Sequence, residues 1–107
     1  EELWFTEWEG GGAAYDTTES VERFNPVNAV KQWRVPMLVV QGALDYRIPE
    51  AQGISVFTAL QRQGVPSRFL YFPDENHWVL KAHNSVLWHD TVNAWLRQYI
   101  GAEPVAR

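Results

Sequence analysis

Two short apolar runs constrain this chain more than any other feature. Met37-Leu38-Val39-Val40 is opened by Pro36 and closed by Gly42, and Arg68-Phe69-Leu70-Tyr71-Phe72 is closed by Pro73. An uninterrupted apolar run of this length, bounded by proline and glycine, suits a strand buried on both faces, as in a parallel sheet. Between the runs, residues 49–63 repeat apolar side chains at Ile54, Phe57 and Leu60 with Ala51 and Ala59 beside them, and Gly64 follows. That is a helix ending at a glycine. A further helix is expected from about Ser85 to Ile100, because Trp88, Val92, Trp95, Leu96 and Tyr99 recur on one face, and Gly101 stops it. The order strand, helix, strand, helix is a parallel β-α-β-α unit with a right-handed crossover, of the α/β class.

The flanking segments are less regular. Residues 1–23 have no clean period; Trp4, Phe5, Trp8 and Tyr15 surround Gly10-Gly11-Gly12, and the segment reads as irregular with short helical turns. Core or interface packing is the expected role of Trp4, Phe5 and Trp8. A short helix is expected over 25–33, with Asn25 as N-cap and Pro26 in the first helical position, where a missing N–H costs nothing. Residues 24–100 make the structured unit and residues 101–107 a frayed tail.

Composition narrows the function. Apolar residues are 46% of the 107, with 6 Trp, 5 Phe and 4 Tyr, which is enough to build a packed core. The net charge is -4, and no basic stripe follows a phosphate backbone, so nucleic-acid binding is not expected. No run approaches membrane-spanning length. Cysteine is absent, so thiolate chemistry is excluded and redox usage does not reveal the compartment. The chain opens at Glu1 without methionine or leader, so it is expected to begin inside a larger polypeptide. Two parallel strands do not make a stable sheet by themselves, which points the same way.

In open parallel sheets, sites form beyond the C-terminal ends of the strands. Asp45 follows the first run and His77 the second, one β-α-β step apart. Adjacent strands lie ~5 Å apart, so these two loops can bring a carboxylate to an imidazole. Such a pair activates a serine hydroxyl: the imidazole is the base, and the carboxylate fixes its tautomer and stabilises the imidazolium. The chain order acid then base is that of the α/β-hydrolase triad, in which the serine comes first. Ser20, Ser55, Ser67 and Ser85 are the only serines, and none sits in a Gly-x-Ser-x-Gly elbow.

Phe24-Asn25-Pro26-Val27-Asn28, the stretch Val35 to Pro49, Gln52-Gly53, the run Phe57 to Arg62 and above all Phe72-Pro73-Asp74-Glu75-Asn76-His77-Trp78-Val79-Leu80-Lys81 resemble the end of a prolyl oligopeptidase family catalytic domain. The similarity is greatest to the branch of dipeptidyl- and acylaminoacyl-peptidases. The resemblance implies the C-terminal β-α-β-α portion of an α/β-hydrolase fold. It implies Asp45 and His77 as catalytic acid and base, a peptide substrate, and a nucleophilic serine on the remainder of the domain, which could also be a separate chain. It further implies an upstream β-propeller, and the isolated chain is expected to be inactive. Ala82 departs from the pattern, which has proline there, and Gly10-Gly11-Gly12 matches its segment only loosely.

His77, His83 and His89 recur every six residues, a spacing that turns each about 240° from the last on a helix. The His-Glu-x-x-His pattern is also missing, so no metal site is expected, and the triad chemistry requires no cofactor. Arg47 is expected to pair with a carboxylate or to hold the acid loop. Glu75 and Asn76 are expected to shape the base loop, Trp78 to pack, and Trp88, Trp95 and Tyr99 to sit in the core. An esterase or other acyl hydrolase, and a non-catalytic α/β interaction module, are the alternative functions. Homo-oligomerisation stays open.

Overall fold

A computed structural model describes residues 3–13, 15–16 and 18–101. The expected tail over 102–107 and the side chain of Phe5 lie outside the described residues. The chain divides into two compact units, at Arg34 and Val35.

The first unit is helical rather than irregular. It holds α1 (Leu3–Gly10), α2 (Thr18–Arg23) and a 3-10 helix (Pro26–Gln32). Gly11 and Gly12 leave α1 with positive φ, 79° and 146°, which explains the glycine run: L side chains resist that backbone. Asn25 caps the 3-10 helix as expected, its side chain accepting the Val27 N–H at 3.1 Å. Trp4 and Trp8 are 67% and 83% exposed, so neither lies in the core of this unit. At a spacing of four residues they share one face of α1.

The second unit carries the expected parallel sheet. β1 (Met37–Gly42) pairs with β2 (Ser67–Phe72) in the register Met37 to Ser67 through Gly42 to Phe72. Both strands therefore end at one edge, where their two loops leave together. The crossover is α3 (Glu50–Arg62). It lies on the face that carries Val39, Gln41, Phe69 and Tyr71: the Phe57 ring stacks on Phe69 at 5.3 Å, and the Tyr71 hydroxyl donates to Glu50 Oε2 at 2.5 Å. Leu60 is fully buried, and Val65 and Phe72 nearly so. Gly64, at φ 67°, ends the α3 turn as the sequence predicts.

Burial of the sheet differs from expectation. Met37, Leu38, Val39 and Val40 are half-buried, and only Gln41 and Gly42 of β1 are fully buried. The final helix differs too. α4 (Ala82–Ile100) starts three residues before Ser85 and ends at Gly101, whose φ is 68°. Its buried residues are Asn84 and Thr91, with Trp88, Val92 and Trp95 half-buried; Leu96 and Tyr99 are 42% and 41% exposed. The covered face is thus rotated from the apolar stripe toward Asn84, because the Asn84 amide is drawn into the loop before the helix. No helix among the described residues is long and apolar enough to cross a membrane.

Candidate active site

The acid loop is built by Asp45 itself. One carboxylate oxygen, Oδ1, accepts the backbone N–H of Arg47 at 3.0 Å and of Ile48 at 2.8 Å. This is the local capping that aspartate offers a turn, and here it aims the other oxygen outward from the turn. Gln41 anchors the loop from below. Its amide, buried at the end of β1, donates to the carbonyls of Ile48 at 2.9 Å and Gly42 at 3.1 Å. Gly53 of α3 makes room for it: a Cβ there would stand 2.6 Å from Gln41 Oε1.

The free oxygen, Oδ2, meets the base. His77 Nδ1–H donates to it at 2.9 Å. The acid and base expected from the strand ends are therefore in direct contact. Asp45 is buried, while the His77 side chain bound to it through Nδ1 is 41% exposed. Burial pushes the Asp45 carboxyl upward, but the Ile48 N–H, the His77 imidazole and the Arg47 N–H outweigh it, and the group is held below the usual aspartate value. It stays ionised at neutral pH, and an ionised carboxylate only accepts, which places a proton on Nδ1 and leaves Nε2 as the basic nitrogen. An open depression beside the pair is lined by Leu44, Asp45, Tyr46, Arg47, Asn76, His77 and Trp78.

The base loop, residues 73–81, is organised around Glu75. This carboxylate is buried; Oε1 accepts from the Asn84 amide and the Lys81 N–H, both at 2.9 Å, and Oε2 from the Leu80 N–H at 3.0 Å. The Asn84 bond chiefly, against burial and with the help of the two backbone groups and Lys81, lowers its pKa to about 2. Asn76 Oδ1 accepts the Trp78 N–H at 2.8 Å. Both residues shape the loop, as expected for them. Arg47 helps hold the acid loop through its backbone N–H. Trp78 is 65% exposed rather than in the core and lines the open depression beside His77.

The remaining candidates lie elsewhere. His83 and His89 are exposed on α4, and His89 Nδ1–H donates to the Ser85 carbonyl at 2.8 Å. Among the described residues no group of three or more His, Cys, Asp or Glu side chains gathers around a metal position. Ser20 lies in α2, Ser55 in α3, Ser67 at the start of β2 and Ser85 in α4. None is on a turn from strand into helix.

The family model "Prolyl oligopeptidase family" matches residues 1–103. The chain belongs to the prolyl oligopeptidase family. It is 47% identical over 105 residues to dipeptidyl-peptidase 5 of Aspergillus oryzae, covering 96% of this chain and 14% of that protein. A probable dipeptidyl-peptidase 5 of Emericella nidulans is 48% identical over 103 residues, 94% of this chain and 14% of the relative. Dipeptidyl-peptidase 5 of Schizosaccharomyces pombe is 46% identical over 99 residues, 92% of this chain and 14% of the relative. The chain thus spans about a seventh of the curated family members it matches, and the parallel β-α-β-α unit agrees with a part of that family's α/β-hydrolase domain.

Gln41, Gly53, Glu75 and Asn84 build the site, and of these only Glu75 is marked by the sequence as a loop-shaping residue. For Gln41 a signal exists: a lone amide closing an apolar strand run must find partners when buried.

Proposed function

We propose that this chain supplies the acid and base of a Ser-Asp-His triad in a serine peptidase of dipeptidyl- or acylaminoacyl-peptidase type, acting near the N-terminus of peptides. The carrying observation is the 2.9 Å contact between His77 Nδ1 and Asp45 Oδ2 at the C-terminal edge of a parallel sheet. Membership of the family and the names of the relatives support the peptidase reading.

The chemistry follows from the two nitrogens of one ring. A serine outside this chain, on the remainder of the catalytic domain, attacks the scissile carbonyl. His77 Nε2 takes the hydroxyl proton as the C–O bond forms, then returns it to the amine as the C–N bond breaks. Water repeats the sequence on the acyl-enzyme. Asp45 keeps its negative charge throughout and stabilises the transient imidazolium. Nothing in these steps needs a metal or cofactor.

The test uses the full-length parent protein. A fluorophosphonate should label one serine in the wild type, and His77→Ala should abolish both labelling and turnover of a dipeptidyl amide. Retention of labelling and amide turnover by His77→Ala would remove His77 as the base. An amide rate far below that of a matched simple ester would move the assignment to an esterase.

A further inference from the structure

We propose that Glu75 is a positioning residue for catalysis: through one buried side chain and one carbonyl it sets the spacing of His77 against Asp45. This rests on the triad reading above.

The base loop must carry His77 from the end of β2 to the start of α4 and hold it over the acid loop. Glu75 stands two residues before His77, and its carboxylate reaches forward past the histidine to the N–H groups of Leu80 and Lys81. That contact closes residues 75–81 into a ring with His77 inside it. Asn84, in the first turn of α4, donates to the same carboxylate and also to Asp74 Oδ1 at 3.0 Å, tying the ring to a rigid helix. The backbone of Glu75 faces the other way. Its carbonyl accepts the N–H of Leu44, the residue before Asp45, at 3.0 Å. The same carbonyl lies against Gly42, where a Cβ would stand only 2.6 Å from it.

One residue therefore touches all three parts that fix the pair: its own loop, the helix that follows, and the acid loop. A buried carboxylate with three donors is costly to disturb, since its loss takes the acceptor from two backbone N–H groups and from one N–H of the Asn84 amide. The local turn at Asn76 shapes the tip but reaches neither α4 nor the acid loop through its side chain.

The experiment measures kcat and KM of Glu75→Gln, Glu75→Ala and Asn84→Ala in the full-length protein, each normalised to serine titrated by fluorophosphonate, beside His77→Ala. Glutamine keeps the shape but turns an N–H toward a backbone donor. Expected is a fall in kcat per titrated site of about 10- to 100-fold for the Glu75 variants, with KM within about twofold. Asn84→Ala, which removes one of the three donors to Glu75 together with the bond to Asp74, should fall several-fold. The far-downfield Nδ1 proton of His77 in the NMR spectrum should broaden or vanish in the Glu75 variants. Val65→Ala, in a buried site at the opposite end of β2, is the stability control: it should lower Tm and leave kcat per titrated site and the proton signal unchanged. Wild-type kcat per titrated site in Glu75→Gln and Asn84→Ala would overturn the proposal while leaving the triad intact. Should Glu75→Ala yield no folded protein, those two variants decide. Wild-type turnover in His77→Ala would instead sink the triad reading, and this inference with it.

Discussion

Gly42 offers the sharpest perturbation of the site. Its φ is not positive, so backbone freedom does not explain the glycine; close approach does. A Cβ on Gly42 would lie 2.3 Å from the Asn76 carbonyl oxygen and 2.6 Å from that of Glu75. Both obstacles are backbone atoms of the base loop, which cannot rotate away. Restoring ordinary contact, about 3.4 Å, requires a retreat of about 1 Å. β1 is held against that movement, since Gly42 pairs with Phe72 and its carbonyl accepts from Gln41 and Asp45. The base loop moves instead, and the 2.9 Å contact between His77 and Asp45 stretches beyond hydrogen-bond range. A misplacement of about 1 Å costs on the order of 100-fold in rate. That is about 2.7 kcal/mol of transition-state stabilisation. Overpacking adds a stability loss of about 1–3 kcal/mol. The assay is kcat/KM of Gly42→Ala in the full-length protein on a dipeptidyl amide, with Tm read in parallel. Gly64→Ala serves as control: it is strained at φ 67° but meets nothing within 4 Å, so it should lose stability and keep its rate per titrated site. A Gly42→Ala enzyme within about threefold of wild type would refute the argument that this backbone packing spaces the acid and base.

Three further outcomes follow from the same geometry. Asp45→Asn still accepts from Arg47 and Ile48 but offers an N–H to His77 Nδ1, favouring the wrong tautomer; kcat should fall about 10⁴-fold with little change in Tm. Ala82→Pro should raise stability by about 0.4–1 kcal/mol in a denaturant titration, because position 82 opens α4 and the extended backbone of Lys81 suits the residue before a proline. Glu75 titrates at about 2 in the fold against an ordinary 4.5, so its ionised form favours the fold above 4.5 and that contribution fades as pH falls toward 2. The urea midpoint of Glu75→Gln should therefore fall less steeply than wild type from pH 5 to 2, and equal slopes would rule this out.

Legibility of the fold tracked how local its determinants are. β1, β2 and α3 are readable because Pro36, Gly42, Gly64 and Pro73 bracket them. The start of α4 is not, because its entry is satisfied by Glu75, six residues before the N-cap Lys81, which makes no side-chain cap of its own. The apolar period begins only at Trp88, so it places the start near Ser85 and misses the first turn. α1 and α2 carry no apolar period, and Trp4 and Trp8 of α1 are exposed: a helix that buries little leaves little pattern.

The same division runs through the site. Asp45 holds itself: its turn closes on its own carboxylate within three residues, so an aspartate after a strand is enough to announce it. His77 is held by others. Its loop depends on Glu75 and, through Glu75, on Asn84, and the spacing to the acid depends on the absence of a side chain at Gly42. Position in the chain points to the residues proposed to carry the chemistry, because strand ends converge. What makes the chemistry accurate is non-local, and it lies in residues whose types carry no catalytic signal. The acid loop should accordingly tolerate changes in the base loop and keep its Asp45 turn, while the base loop loses its aim; the pair fails from the histidine side first.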